Sequence, residues 1–351
     1  MKRHLRHLTA MIRSAVAMAS VATIALLSLL PVSCVDVDEH EDTPTGNFEA
    51  LWKIIDERYC FFDYKQQQYG LDWNAVYNKY KVRVNNNMKT TQLFEVCCDM
   101  LSELRDGHVN LTSSMNYGRY WTWQEAYPKN FSDTLYRHYM GTDYRISSSL
   151  RFRVLDDNIG YVYCPSFENA IGEGNLDEVM SYLALCRGLI VDVRNNGGGD
   201  LTTAERLAGR FVQQKTLVGY MQHKTGPGHS DFSNPEPWYL EPSSKIRWNK
   251  KVCVLTNRSV YSAANSFVVM MHALPAVTIV GDHTGGGSGM PMSSSLPNGW
   301  SVRFSACPIL DKDGRHTEFG MAPDVAVSLS AASTAKDIDD IIEKARQILS
   351  Q

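Results

Sequence analysis

Three short stretches carry residue types that could do chemistry together. In Val252-Cys253-Val254-Leu255-Thr256-Asn257-Arg258-Ser259-Val260-Tyr261-Ser262-Ala263-Ala264-Asn265 an apolar run passes through a polar turn into a helical one beginning at Ser262. A serine there can cap the helix with its side-chain oxygen. It can also be a hydroxyl held beside unpaired backbone N–H groups, the arrangement that stabilises the oxyanion of acyl transfer. In Leu104-Arg105-Asp106-Gly107-His108-Val109-Asn110-Leu111 a polar turn delivers His108 just before a short strand. Histidine has the ordinary pKa nearest neutrality, which a general base for a serine requires. In Gly188-Leu189-Ile190-Val191-Asp192-Val193-Arg194-Asn195-Asn196-Gly197-Gly198-Gly199-Asp200 a buried strand ends in three glycines and opens a helix. Its N–H groups can approach an anion closely, with a helix dipole behind them. Phosphate is another anion such a loop could hold, but the Lys-Ser/Thr of a P-loop is missing and GxGxxG spacing is not met. His283, nearer to Ser262 in sequence, is a rival base.

Each stretch falls at a strand end or a strand-to-helix turn, where open α/β sheets place their functional groups. From residue 151 onward, strand-like runs (Arg151 to Leu155, Ile159 to Cys164, Gly188 to Val193, Lys251 to Thr256, Val277 to Gly281, Trp300 to Ser305) alternate with helical ones (Leu176 to Cys186, Leu201 to Gln213, Ala263 to Leu274). That alternation predicts an α/β core, closed by an amphipathic helix from Ala335 to Leu349. Between Phe48 and Leu104 apolar residues recur at helical spacing, as in Leu51, Ile54 and Ile55 and in Leu93, Val96, Cys97, Met100 and Leu101, which predicts a small helical region. The aromatic stretch Tyr59 to Tyr64 reads as core, with a peptide groove as the alternative. Residues 113–150 lack clean periodicity and read as loops and short strands.

Together the islands resemble the serine peptidase family that includes bacterial C-terminal processing proteases and the tricorn core. The resemblance runs over roughly residues 48–330 and rests on DGH at 106–108, DVRNNGGG at 192–199, YSAAN at 261–265, GDHTGGG at 281–287 and GMAPD at 320–324, in the family's order. It implies a ClpP/crotonase-like α/β core with a small N-terminal helical domain. It also implies Ser262 as nucleophile, with Asn265 where the family has Glu. A lysine-activated branch is disfavoured because Gly287 stands at the lysine's place, leaving the tricorn-like branch with His108 as general base and Glu318 as its acidic partner. Gly107 replaces the serine that precedes the histidine in the tricorn core, so the relay is a simple triad or another residue fills that role. By the same resemblance the oxyanion is held by the N–H groups of Gly198 and Ala263, with Gly199 nearly as good a candidate as Gly198. No cofactor or metal is implied, and the substrate is a peptide or protein. The gap between His108 and Ile159 leaves no room for a PDZ domain. Two other readings stay open: a catalytically silent ligand-binding protein on the same fold, and an acyl hydrolase or esterase using the same residues.

The N-terminus reads as an address. Lys2, Arg3, Arg6 and Arg13 precede an acid-free apolar run from Ala15 to Leu30, a secretory signal layout over residues 1–33. A retained membrane-spanning helix is the alternative. Leu30-Pro31-Val32-Ser33-Cys34 resembles a bacterial lipobox, with Cys34 as the lipidated residue. Residues 34–46, rich in Asp and Glu, read as a tether. The expected domains are then the signal at 1–33, the lipid-anchored tether at 34–46, a helical domain at 47–112 and the peptidase core at 113–351. The expected location is the cell envelope, with membrane contact only through the anchor. Without the signal, 31 basic face 38 acidic side chains, a net charge of −7, so a nucleic-acid partner is not expected. Of eight cysteines, seven remain beside Cys34, several in apolar strand contexts where a thiol serves as a small buried side chain, and no spacing suggests zinc.

Overall fold

A computed structural model describes residues 40–121 and 126–351. The signal and lipidation readings, Cys34 included, lie outside the described residues. Among the described residues the first helix, α1 (Pro44–Arg58), starts inside the stretch expected as tether. Thr43 caps it by accepting from the Gly46 N–H, and Pro44 supplies a preset φ where no N–H is needed. A Thr-Pro pair is thus a helix start here rather than linker. It is followed by α2 (Phe62–Tyr69), α3 (Trp73–Lys81) and α4 (Thr90–Ser102). Phe48, Leu51, Ile55, Tyr59, Phe61, Phe62, Phe94 and Met100 are buried together, so the aromatic stretch is core.

This helical cluster packs on a six-stranded sheet. Its path is β2 (Tyr117–Arg119), β1 (Asn110–Thr112), β12 (Ser301–Asp311), β7 (Thr216–Met221) and β8 (Glu236–Leu240), with β11 (Gly289–Ser295) also paired to β12. Leu111, Val302 and Phe304 face the helices. Pro237, which has no N–H to donate, sits in the edge strand β8.

The second sheet has seven strands: β13 (Val325–Ala326), β10 (Val277–Gly281), β9 (Val252–Thr256), β6 (Gly188–Asp192), β5 (Ile159–Tyr163), β4 (Leu150–Val154) and β3 (Arg145–Ser147). From β13 to β5 the pairing is parallel, and β4 and β3 add antiparallel. Both faces are covered, so the central strands β6 and β9 are buried at every position and carry consecutive apolar residues rather than an alternation. Leu189 and Val191 of β6 and Val252 and Val254 of β9 join one core with α6 (Glu173–Leu183), α7 (Leu201–Ala208) and α8 (Ala263–His272). Ile190, Cys253 and Leu255 point the other way, onto Tyr136 and Met140 of α5 (Asp133–Met140) and Ile341, Ile342 and Ala345 of α10 (Asp340–Leu349). The short α9 (Ala331–Thr334) precedes α10.

The α/β architecture expected from the alternation of runs is what folds. Helix α5 interrupts the stretch expected as loops and strands; at eight residues it shows too few turns for its periodicity to stand out. The last helix begins at Asp340 rather than Ala335, because Asp339 accepts from the N–H groups of Ile341 and Ile342 and fixes the start. Asp339 also receives Arg194 at 2.9 Å, and Arg194 grips Asp192 at 2.7 Å, all three fully buried. This triad ties the end of β6 to α10. The cysteines from Cys60 to Cys307 are free thiols, five of them buried. Among the described residues no helix is long and apolar enough to cross a membrane.

Candidate active site

Strand β9 ends at Thr256 and the chain turns sharply before α8. The turn is wired by Asn257, whose side chain accepts from the N–H groups of Asn195 and Ser259 and donates to the Lys129 carbonyl and the Asn195 side chain. Tyr261 N–H then donates to Asn196 and Ser262 N–H to Gly286. Three loops therefore meet at Ser262 and hold it at φ 56° and ψ −128°. That conformation costs a non-glycine residue on the order of 1–3 kcal/mol and persists only where surroundings over-determine it. Ser262 occupies the cap position of α8, yet its side chain makes no capping bond. The hydroxyl is left for another partner.

That partner is His108, 154 residues away in sequence. Its Nε2 lies 2.9 Å from Ser262 Oγ. The turn before β1 positions it: Asp106 Oδ1 accepts the His108 N–H at 2.7 Å, and Asn110 donates to the His108 carbonyl at 2.9 Å. The ring meets Tyr261 edge-on at 5.0 Å. Burial pushes its pKa down to about 4, with Asp106 pulling upward and Arg303 and Lys65 adding to the fall. At neutral pH the imidazole is thus uncharged and able to accept a proton. His283, the rival base, turns its Nδ1 to the Thr284 carbonyl at 2.9 Å and is not bonded to Ser262.

Glu318 differs from expectation. No hydrogen bond or ion pair joins it to His108; its Oε1 meets Lys65 Nζ at 3.2 Å and its Oε2 accepts from Ser288 N–H at 3.1 Å. Lys65 is fully buried and also lies 3.8 Å from Asp106. Asp106 in turn accepts from Tyr59 Oη at 2.8 Å and Ser305 Oγ at 2.9 Å. One lysine between two buried carboxyls can neutralise only one of them. Asp106, with its many donors and Lys65 nearby, is held below the usual carboxylate range. Glu318 is pushed up to about 8 by burial and by Asp106, so it carries a proton at neutral pH. The acid whose charge reaches His108 is therefore Asp106. Its place in the DGH motif was a usable signal; nothing local announces Lys65, which α2 brings in from the aromatic stretch.

The glycine loop at the end of β6 packs directly on the serine: a Cβ on Gly198 would lie 2.8 Å from Ser262 Cβ. The Gly198 N–H, expected in the oxyanion hole, instead donates to Asn196 Oδ1 at 2.9 Å, a local turn that a side chain two residues earlier closes. The N–H groups of Gly199 and Ala263 have no acceptor among the described residues, and both residues line the cavity that holds Ser262. Gly287 excludes a lysine at its position, since a Cβ there would meet the Tyr261 ring at 2.4 Å. Asn265 accepts from Thr284 Oγ1 at 2.7 Å, tying α8 to the loop after β10. The cavity holds about 360 Å³, with Leu201, Met290, Pro291 and Ile309 as apolar walls and His108, Ser262, Gly199 and Ala263 at its reactive end.

Residues 158–327 match the family model Peptidase family S41, and residues 40–102 match the Tricorn protease C1 domain. The carboxy-terminal processing protease CtpA of Bacillus subtilis is 25% identical over 177 residues, 50% of this chain and 36% of that protein. The match thus spans little more than a third of the curated relative's length. A crystal structure of a presumed peptidase from Parabacteroides merdae is 50% identical, covers 88% of this chain and 97% of its own, and superposes with a TM-score of 0.83. Mature CPAF in complex with lactacystin shares the fold at 12% identity, TM-score 0.65, over 88% of this chain and 97% of its own.

Proposed function

The chain belongs to peptidase family S41, and from that premise we propose that it hydrolyses peptide bonds with Ser262 as nucleophile and His108 as general base. The observation that carries the reading is the 2.9 Å contact between His108 Nε2 and a strained, uncapped Ser262. Ser262 Oγ attacks the scissile carbonyl carbon while its proton passes to Nε2, forming the C–O bond and an oxyanion. The N–H groups of Gly199 and Ala263, without an acceptor among the described residues and on residues that line the cavity, are the donors for that oxyanion, each worth on the order of a few kcal/mol in such sites. Collapse breaks the C–N bond, and the imidazolium returns the proton to the leaving amine. Water then repeats the sequence on the acyl-enzyme. Asp106 supplies the negative charge that favours the imidazolium from behind.

The substrate class is an unfolded peptide or an exposed protein tail, consistent with carboxy-terminal processing and with a cavity open beside the nucleophile. Incubating the protein with a peptide mixture and sequencing the products by mass spectrometry tests this. New peptide termini that vanish with Ser262→Ala are expected; ester cleavage without peptide cleavage would assign an acyl hydrolase instead. For location we propose the cell envelope, through a lipid on Cys34. Incorporation of labelled palmitate that Cys34→Ala abolishes is the expected outcome, and equal incorporation in that variant would remove the anchor.

A further inference from the structure

A second cavity, of about 290 Å³, is lined by Arg105, Arg258 and the rings of Tyr120, Tyr127, Tyr261 and Phe319. Gly107 lines it as well, and the residues that follow Gly107 and Tyr261, which are His108 and Ser262, line the cavity of the nucleophile. Arg105 thus stands three residues before the general base and Arg258 four before the nucleophile. Each guanidinium is laid on a tyrosine ring, Arg105 at 4.4 Å from the centre of Tyr69 and Arg258 at 4.0 Å from that of Tyr127. Stacking of this kind holds the fork flat and leaves its N–H edge for a planar anion. Among the described residues neither guanidinium donates a hydrogen bond. Arg258 Nε is buried and unpartnered, with Asp282 Oδ1 at 3.8 Å, beyond hydrogen-bond reach. A buried donor without an acceptor is rare and asks for a reason. Glu103, two residues before Arg105, is taken by Lys79 at 2.6 Å and Tyr80 at 2.9 Å.

We propose that this second cavity binds the C-terminal carboxylate of a peptide, with Arg105 and Arg258 as its two partners and the aromatic walls around the last side chain. Asp282 offsets part of the charge of Arg258, and Glu318, which also lines the cavity, is protonated at neutral pH. The surplus is therefore close to one positive charge, which suits a carboxylate better than a phosphate dianion. Four aromatic rings ask for a carboxylate carried on an apolar body rather than a bare ion. The volume is at the small end for ligand pockets, enough for a chain end and not for a chain passing through. A carboxylate held between the two arginines ties the loop of the base to the turn of the nucleophile. The site goes beyond the hydrolytic reading and does not require Ser262 to be active.

The test is calorimetric binding, at neutral pH, of acetyl-Ala-Ala-Leu, its C-terminal amide and octanoate to the protein carrying Ser262→Ala, which leaves the peptide intact. The same titrations are run with Arg105→Gln, Arg258→Gln and both added. The free acid should bind about tenfold tighter than the amide, or more, and either substitution should weaken the acid about tenfold while leaving the amide unchanged. Neither guanidinium holds a hydrogen bond in the fold, so melting temperatures should stay where they are. Arg105 is exposed, so Arg105→Gln decides the matter alone if the Arg258 variant folds poorly. No binding of the acid, equal affinity for acid and amide, or an acid preference that survives both substitutions would overturn the proposal. Octanoate bound as tightly as the peptide would overturn the peptide as occupant. Failure of Ser262 to react with a fluorophosphonate would sink the hydrolytic reading and leave this binding result standing.

Discussion

At Ser262 three loops hold a strained, uncapped hydroxyl 2.9 Å from His108 Nε2. Behind the histidine, Lys65, Asp106 and Glu318, distant in sequence, meet through tertiary packing. Two predictions belong to single residues. The first concerns His108, whose pKa burial lowers to about 4. Since its neutral form accepts the proton, labelling of Ser262 should stay near its plateau down to about pH 5 and fall only around pH 4; a half-maximum near 6.5 would contradict the buried environment. The second concerns Glu318. Its folded-state pKa of about 8 lies above the ordinary carboxyl value, so between those values the folded state holds a proton that the unfolded state has lost. Stability therefore drops as pH rises through that window. Glu318→Gln has no such proton, and its melting temperature should gain on wild type steadily from pH 5 to pH 8, which thermal scans across that range would show. His108 contributes the opposite slope below its ordinary value but is common to both proteins, so it cancels in the difference.

Among elements, the parallel strands were legible because burial on both faces leaves short unbroken apolar runs such as Leu189 to Val191 and Val252 to Leu255. Strand β11 was not, since Gly289-Met290-Pro291-Met292-Ser293-Ser294-Ser295 has neither alternation nor β-branched residues, and it folds as a strand only because β12 offers its edge. The glycine loop's free donor was also out of reach: which N–H is left without an acceptor depends on Asn196 closing a turn two residues on. Gly198 has φ of 107° and no space for a side chain against Ser262 and the Tyr261 carbonyl. Gly198→Ala should cost roughly 1–3 kcal/mol of stability and, by pushing the Ser262 turn away, slow labelling at least tenfold. Chemical denaturation beside the labelling assay checks both, and a fully active variant would argue against the packing described.

At the scale of the whole molecule, the buried Arg194 joins the catalytic sheet to the final helix through Asp192 and Asp339. Such a pair adds little net stability over an apolar replacement. Asp339→Ala strands no charge, because Arg194 keeps Asp192, but it takes the carboxylate from the guanidinium and the cap from α10. Stability from urea unfolding should fall by about 2–4 kcal/mol; a change under about 1 kcal/mol would contradict the buried triad. The central claim is that His108 activates Ser262. Reaction of the protein with a fluorophosphonate, followed by mass-spectrometric mapping of the adduct, tests it most directly. We predict one adduct, on Ser262, absent in Ser262→Ala and formed 10²–10⁴-fold more slowly in a well-folded His108→Ala. Equal labelling in His108→Ala, or an adduct on another residue, would contradict the account.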